Sequence, residues 1–220
     1  MIRQSFVLVF CVAAVGCGST HSGGDMGKAE FSYAGFLGDE PLDQPFLDGS
    51  QVTIRIRLHS DVRDTPISVT SGDSSVVSVR SFGRGTDRGE WQSVVLGAKV
   101  GSAKIALNGP DGKALDTISL SVADPAKIVA PTALSMSVGG QQRLETRVED
   151  KDGHTIYVSS SLEWTLDADV ATFYAPLDRR TGQTHNLGSI VNLRGNRPGA
   201  ATLHGQVGKV SVDLPVSVAK

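Results

Sequence analysis

Gly49-Ser50-Gln51-Val52-Thr53-Ile54-Arg55-Ile56-Arg57-Leu58 decides the fold. After its opening glycine and two polar residues, Val52, Ile54, Ile56 and Leu58 fall on one side of an extended chain, and Thr53, Arg55 and Arg57 on the other. Side chains of a strand point alternately to opposite faces, so this is a strand with a dry side and a wet side. The same period runs outward in both directions. Ala103, Ile105 and Leu107 alternate with polar residues, as do Ile118, Leu120 and Val122. Leu134, Met136 and Val138 follow, then Leu162, Trp164 and Leu166, and the chain closes on Val210, Val212, Leu214, Val216 and Val218. No stretch of a dozen residues carries an apolar stripe at helical spacing. Asp48-Gly49, Asp111-Gly112 and Asp152-Gly153 are turn signals, because glycine and Asx residues accept the backbone angles of tight hairpins. Short strands cut at intervals near ten residues predict a β-sandwich or barrel.

Three markers then occur twice in the same order. Gly49-Ser50-Gln51 is matched by Gly139-Gly140-Gln141, an offset of 90. Asp73-Ser74-Ser75-Val76-Val77-Ser78-Val79 is matched by Asp167-Ala168-Asp169-Val170-Ala171-Thr172-Phe173, an offset of 94. Val100-Gly101-Ser102-Ala103-Lys104-Ile105 is matched by Pro198-Gly199-Ala200-Ala201-Thr202-Leu203, an offset of 98. A slowly drifting offset is what loop insertions produce between two copies of one unit. The expected units are residues 28–124 and 125–220, each near the usual domain size. Trp164 is expected in the core of the second. Pro215, inside the last strand, predicts an edge position or a bulge.

These markers resemble the group-2 bacterial immunoglobulin-like family. Its pattern is a Gly-Gln opening a strand, a Ser-x-Asn/Asp-x-x-Val-Ala-x-Val segment, and a Gly-x-Ala-x-Ile strand. Residues 139–203 carry all three parts and residues 49–105 a looser version, with Val77 where the pattern has Ala and Phe173 where it has Val. The resemblance implies an all-β chain of two tandem immunoglobulin-like Greek-key sandwiches, of the kind found in bacterial surface and envelope proteins.

The start of the sequence carries an address. Arg3 precedes the apolar run Phe6 to Val15, which leads into Ala14-Val15-Gly16-Cys17. A basic start, a ten-residue apolar core and a small-residue site are the layout of a secretory signal peptide, and the run is too short to span a bilayer as a helix. Val15 and Gly16 before Cys17 resemble the lipobox of bacterial lipoproteins, with Ala14 where that motif prefers Leu. The resemblance implies removal of residues 1–16, acylation of Cys17 and membrane attachment through the N-terminus. With Gly18 rather than Asp next, it implies the outer membrane. Cys11 would leave with the signal, so acylation accounts for the single remaining thiol. Gly18-Ser19-Thr20-His21-Ser22-Gly23-Gly24-Asp25-Met26-Gly27 reads as a flexible tether, so residues 17–27 are expected to be anchor and tether. Ten such residues would span roughly 17 Å root-mean-square.

Composition and motifs narrow the remaining function classes. Twenty-one basic residues against 23 acidic ones argue against a nucleic-acid partner. There is no Gly-x-Ser-x-Gly, no His-Glu-x-x-His and no Cys-x-x-Cys, and the five histidines are scattered. Asp150-Lys151-Asp152-Gly153 begins like a calcium loop but lacks the later ligands, and a charged hairpin turn explains it equally. The glycine-rich run Gly83 to Gly89 lacks the Lys-Ser/Thr ending of a phosphate loop. No cofactor or metal is expected. The long connection from Tyr174 to Gly188 gathers Tyr174, Arg179, Arg180 and His185, residue types suited to a binding rim, with a shorter counterpart at 81–90. It is the expected contact site for an envelope protein partner, set against a plain solvated loop. The reading is therefore a non-enzymatic interaction or spacer module. A carbohydrate- or peptidoglycan-binding accessory is the alternative, for which an exposed Trp91 would speak. An unrecognised enzyme is a third, which would need a deep cleft.

Overall fold

The computed structural model describes residues 21–35, 38–85, 89–158, 161–174 and 188–220. Over these the alternating segments become strands. The first half holds β1 (Ser22–Gly23), β2 (Ala29–Gly35), β3 (Gly38–Glu40), β4 (Phe46–Leu47), β5 (Gln51–Leu58), β6 (Ser68–Ser71), β7 (Val77–Arg84), β8 (Glu90–Gly97), β9 (Gly101–Asn108) and β10 (Ala114–Ala123). The second holds β11 (Lys127–Val129), β12 (Leu134–Ser137), β13 (Gln141–Glu145), β14 (Arg147–Glu149), β15 (Thr155–Ile156), β16 (Glu163–Leu166), β17 (Ala171–Phe173), β18 (Ile190–Gly195), β19 (Gly199–Val207) and β20 (Val210–Ala219). No helix occurs among the described residues.

In the first half one sheet runs β1-β2-β5-β8-β7, with β3 also beside β2, and the other runs β4-β10-β9-β6. Ile54, Ile56 and Val95 of the first sheet and Ile105, Leu107 and Leu120 of the second belong to one buried cluster, so the apolar faces meet. In the second half the sheets are β13-β18-β17 and β12-β20-β19-β16, with a small sheet β11-β14-β15. Their inward residues form a second cluster around Leu144, Leu162, Trp164, Leu193, Leu203 and Leu214. Each half is thus a sandwich of stacked sheets.

The duplication is visible bond by bond. The order β5-β8-β7 returns as β13-β18-β17, and β4-β10-β9-β6 returns as β12-β20-β19-β16. Both second sheets contain the same exception to antiparallel pairing, since β4 runs parallel to β10 and β12 parallel to β20. Gly49 N donates to Gly97 O at 2.8 Å, and Gly139 N to Gly195 O at 2.8 Å. Gly97 N returns a bond to Ser50 O, and Gly195 N to Gly140 O. Gly49 and Gly139 have φ of 73° and 77°, a left-handed conformation that favours glycine, which is why that residue opens both strands.

The copies differ where β5 is one strand of eight residues and its counterpart breaks at Thr146. Thr146 turns its N–H and its hydroxyl to Ser189 O, at 2.8 and 3.0 Å. β13 before it pairs with β18, while β14 after it pairs with β11 and β15. Pro215 is not on an edge strand: β20 lies between β12 and β19 without a register shift. The proline is tolerated opposite Thr202 one residue before the β12 ladder begins at Val216, where its missing N–H leaves that ladder intact.

The tether also needs correction. Ser22 and Gly23 pair with Phe31 and Glu30 as strand β1. The next residues are gathered by Asp116, a fully buried carboxylate at the register shift of β10. It accepts hydrogen bonds from the N–H groups of Met26, Lys28, Ala29 and Thr117 at 2.7–2.8 Å. Small, polar residues give a mobile chain only while their backbone groups lack better partners than water. Here a buried anion supplies them, with charge-assisted bonds roughly twice as strong as neutral ones.

Trp164 has no exposed surface, and its Nε1 donates to Gly188 O at 3.0 Å. Its ring lies over Gly205, its register partner on β19, where an added Cβ would approach the ring to 2.5 Å. Trp164→Ala is expected to cost about 3–5 kcal/mol, against about 0.5 kcal/mol or less for the exposed Ser119→Ala. Denaturant titration of both variants checks this, and equal midpoints would refute the core assignment.

Candidate functional site

Of the residues expected at the binding loop, Tyr174 is described. Arg179, Arg180 and His185 lie outside the described residues, as does Cys17. Tyr174 is half-buried at the end of β17, and its N–H donates to Asn192 O at 2.7 Å. At the other end, Gly188 N donates to Leu162 O at 2.7 Å while Gly188 O receives the Trp164 indole. Both roots of the connection are therefore fastened to the second core. The counterpart in the first half is shorter than the sequence predicts, because β7 extends to Arg84 and β8 starts at Glu90.

Trp91, beside that counterpart, is 9% exposed. Phe82 stacks on it at 5.0 Å and 7°, and the Arg84 guanidinium sits 4.5 Å from its ring centre. This is a packed edge of the first core rather than an open platform for a sugar ring. Among the described residues its Nε1 has no hydrogen-bond partner.

A charged cluster that sequence reasoning missed lies on the outward face of the β1-β2-β5-β8 sheet. Asp39, on β3, is the centre. Arg55 Nη1 donates to its Oδ1 at 2.5 Å, Arg57 Nη2 lies 3.6 Å from its Oδ2, and His21 Nε2 lies 3.1 Å from Oδ2. His21 Nε2 is also 3.2 Å from Arg57 Nη1. Glu90, almost wholly buried, accepts from Gln92 Nε2 at 3.1 Å and faces Arg55 Nε at 3.9 Å. Each carboxylate thus meets a guanidinium, and what the arrangement does is hold β1 and β3 against the sheet. The outward register of Arg55 and Arg57 was legible in the alternation. Their partner was not, because Asp39 arrives on a separate strand.

Asp150, Asp152 and His154 each bring a potential ligand atom within 4.8 Å of the others. The group is the turn between β14 and β15. Asp150 Oδ1 accepts the N–H groups of Asp152 and His154, both at 2.9 Å, and Oδ2 lies 3.2 Å from His154 Nδ1. Burial acts to raise the Asp150 carboxyl, but these donors outweigh it and hold the group below its ordinary 3.8. An open recess lined by Val129, Ala130, Pro131, Glu145, Thr146 and Arg147 marks the break between β13 and β14. Its charged groups are engaged in ion pairs, Glu145 with Arg143 and Arg147 with Glu149.

The halves meet around Tyr157. This residue of the second half belongs to the buried cluster of the first, while Leu47 and Ala123 of the first belong to that of the second. Tyr157 stacks on Tyr33 at 4.2 Å and 5°, and its N–H donates to Pro45 O at 2.8 Å. Phe46 and Tyr157 form a parallel bridge. Burial, with Tyr157 and Asp43 nearby, pushes the Tyr33 phenol above its ordinary range; it stays neutral and donates to Gln44 O at 2.9 Å.

No protein-family description and no curated protein matches this sequence. Among solved structures, domains 4 and 5 of the S-layer protein SbsC are similar at 20% identity, covering 75% of this chain and 82% of that one, with a TM-score of 0.36. Invasin, a bacterial integrin-binding protein, is similar at 13% identity over 89% of this chain and 40% of its own, with a TM-score of 0.35. The D0-D1 domain of intimin is similar at 13% identity over 86% and 97%, with a TM-score of 0.32. Scores of this size leave the fold assignment to the strand order and register given above.

Two expectations follow from this geometry. Tyr157→Ala removes the stacked ring from the junction, so the distribution of particle lengths in small-angle scattering should broaden while far-ultraviolet dichroism stays unchanged. An unaltered scattering profile would show that the ring does not fix the halves. Acid should act through carboxylates held low: Asp73 by the Ser75 hydroxyl and N–H, Asp167 by the Thr202 N–H, and Asp150 as above. Their support is complete above the ordinary 3.8 and is lost as pH falls through their lower folded-state values. The denaturation midpoint should therefore stay level from neutral pH down to about 5 and fall below about 4; calorimetry across that range checks it.

Proposed function

We propose that this chain is a lipid-anchored protein of the bacterial outer membrane, acting without catalysis as an interaction and spacer module within an envelope assembly. The observation that carries the reading is the junction. Two sandwiches linked by a short connection swing freely unless an apolar interface holds them, and here Tyr157 is inserted into the first core against Tyr33. A spacer needs that property and an enzyme does not. Cys17 is the attachment point, and the connection from Tyr174 to Gly188, rooted on the Trp164 side of the second sandwich, is the surface offered to a protein partner through Tyr174, Arg179, Arg180 and His185. Trp91, covered by Phe82 and Arg84, gives the carbohydrate-binding alternative no support.

Metabolic labelling with a fatty-acid probe tests the anchor. Cys17→Ser should abolish labelling and move the protein from the membrane to the soluble fraction, and membrane retention of that variant would overturn the anchor. In-cell crosslinking with mass spectrometry tests the loop. A chain lacking residues 176–187 should lose its main crosslinked partner, whereas an unchanged partner set would remove the loop from the interaction.

A further inference from the structure

The proposed anchor and the described start of the fold are separated by very little chain. From His21 onward the backbone is fastened. His21 sits against Asp39 and Arg57, and β1 pairs with β2. Leu42 N donates to Ser22 Oγ at 2.9 Å, Asp25 N to Thr117 O at 2.8 Å, and Asp116 takes the N–H groups of Met26, Lys28 and Ala29. Only Gly18, Ser19 and Thr20 stand between Cys17 and this fastened segment. Four Cα–Cα steps reach at most about 14 Å when fully extended. An acylated Cys17 lies at the lipid headgroups, so His21 cannot stand farther than that from them.

The position of His21 then selects a face. Its side chain lies among Asp39 and Arg57, on the outward face of the β1-β2-β5-β8 sheet and at its β1 edge. The other sheet ends in β6, at the far side from β4 and β10. The outward face near His21 also carries Glu30 and Arg57, with side chains 46% and 43% exposed, and His59 at the end of β5 is 46% exposed. Both signs of charge are thus available to a headgroup layer that itself carries phosphates and amines.

We propose that the outward face of the β1-β2-β5-β8 sheet, at its β1 edge, is a membrane-apposed surface whose occupant is the phospholipid headgroup layer. The first sandwich rests on the bilayer instead of hanging from a ten-residue tether, and the Asp116 cradle keeps it there by holding residues 26–29 to the fold. This rests on the lipidation of Cys17 proposed above.

The test uses the full lipidated chain in vesicles of phosphatidylethanolamine and phosphatidylglycerol with a headgroup-bound quencher. A single fluorophore is attached through Glu30→Cys on the near face or Thr70→Cys on β6 of the far sheet; the Cys17 thiol is occupied by its acyl group. With sheets about 10 Å apart, the Glu30 label should be quenched about twofold or more relative to the Thr70 label. Inserting about ten Gly/Ser residues between Thr20 and His21, a reach of roughly 17 Å, should bring the two labels to equal quenching. Equal quenching without the insertion would overturn the proposal while leaving the anchor intact. If the chain does not float with the vesicles, the anchor itself fails and the proposal with it.

Discussion

A strand that buries every second residue cannot slip by one position without turning its whole apolar set to water. That constraint governs both halves of this chain. Val52, Ile54, Ile56 and Leu58 are almost fully buried while Thr53, Arg55 and Arg57 are half-exposed. The register of the strand that buries them is pinned at its start, by Gly49 donating to Gly97 and Gly97 donating back to Ser50. The same reciprocal pair, Gly139 with Gly195 and Gly195 with Gly140, pins the second half. Once these strands are placed, the cores, the outward charges and the chain's entry into the fold follow from them.

Strand content was legible because the period of two is a local property of the sequence. The duplication was legible because Gly49, Gly101 and their counterparts occupy backbone conformations that favour glycine. Trp164 was legible as a core residue from its place between Leu162 and Leu166. What stayed hidden depends on contacts between distant residues. Asp116 gathers N–H groups 87 to 90 positions away. A lone Asp in a strand that otherwise alternates is the one local trace, since strands disfavour that residue. Tyr157 is farther still from Tyr33, and nothing in its surrounding sequence marks it for the other half's core. The break at Thr146 was equally silent, since Leu144 and Val148 keep the alternation across it.

Polar groups divide the molecule into what fastens and what is offered. Asp116 and Glu90 are buried carboxylates, and Asp39 a half-buried one, with donors arranged around them. Removing one partner of such a set leaves a charge without compensation, which costs far more than the contact contributes on balance. Asp150 and Asp73 do a lighter version of this work at turns. The proposed contact loop differs in kind: its two ends, Tyr174 and Gly188, are tied to the second core by backbone hydrogen bonds and the Trp164 indole.

The parallel pairing of β12 with β20 has a mechanical consequence. Leu134 lies beside Val216 and Ser137 beside Ala219, so the two strands run the same way, and the second sandwich is entered near one end of the pair and left near the other. A pull between a fixed N-terminal side and a load at the C-terminus acts along the strands. It strains all the rungs of that ladder together, in shear, and does not peel them one at a time. The first sandwich has the same parallel pair, β4 with β10, but there β1, β2 and β3 precede it, so tension from the N-terminal side reaches their antiparallel ladders first.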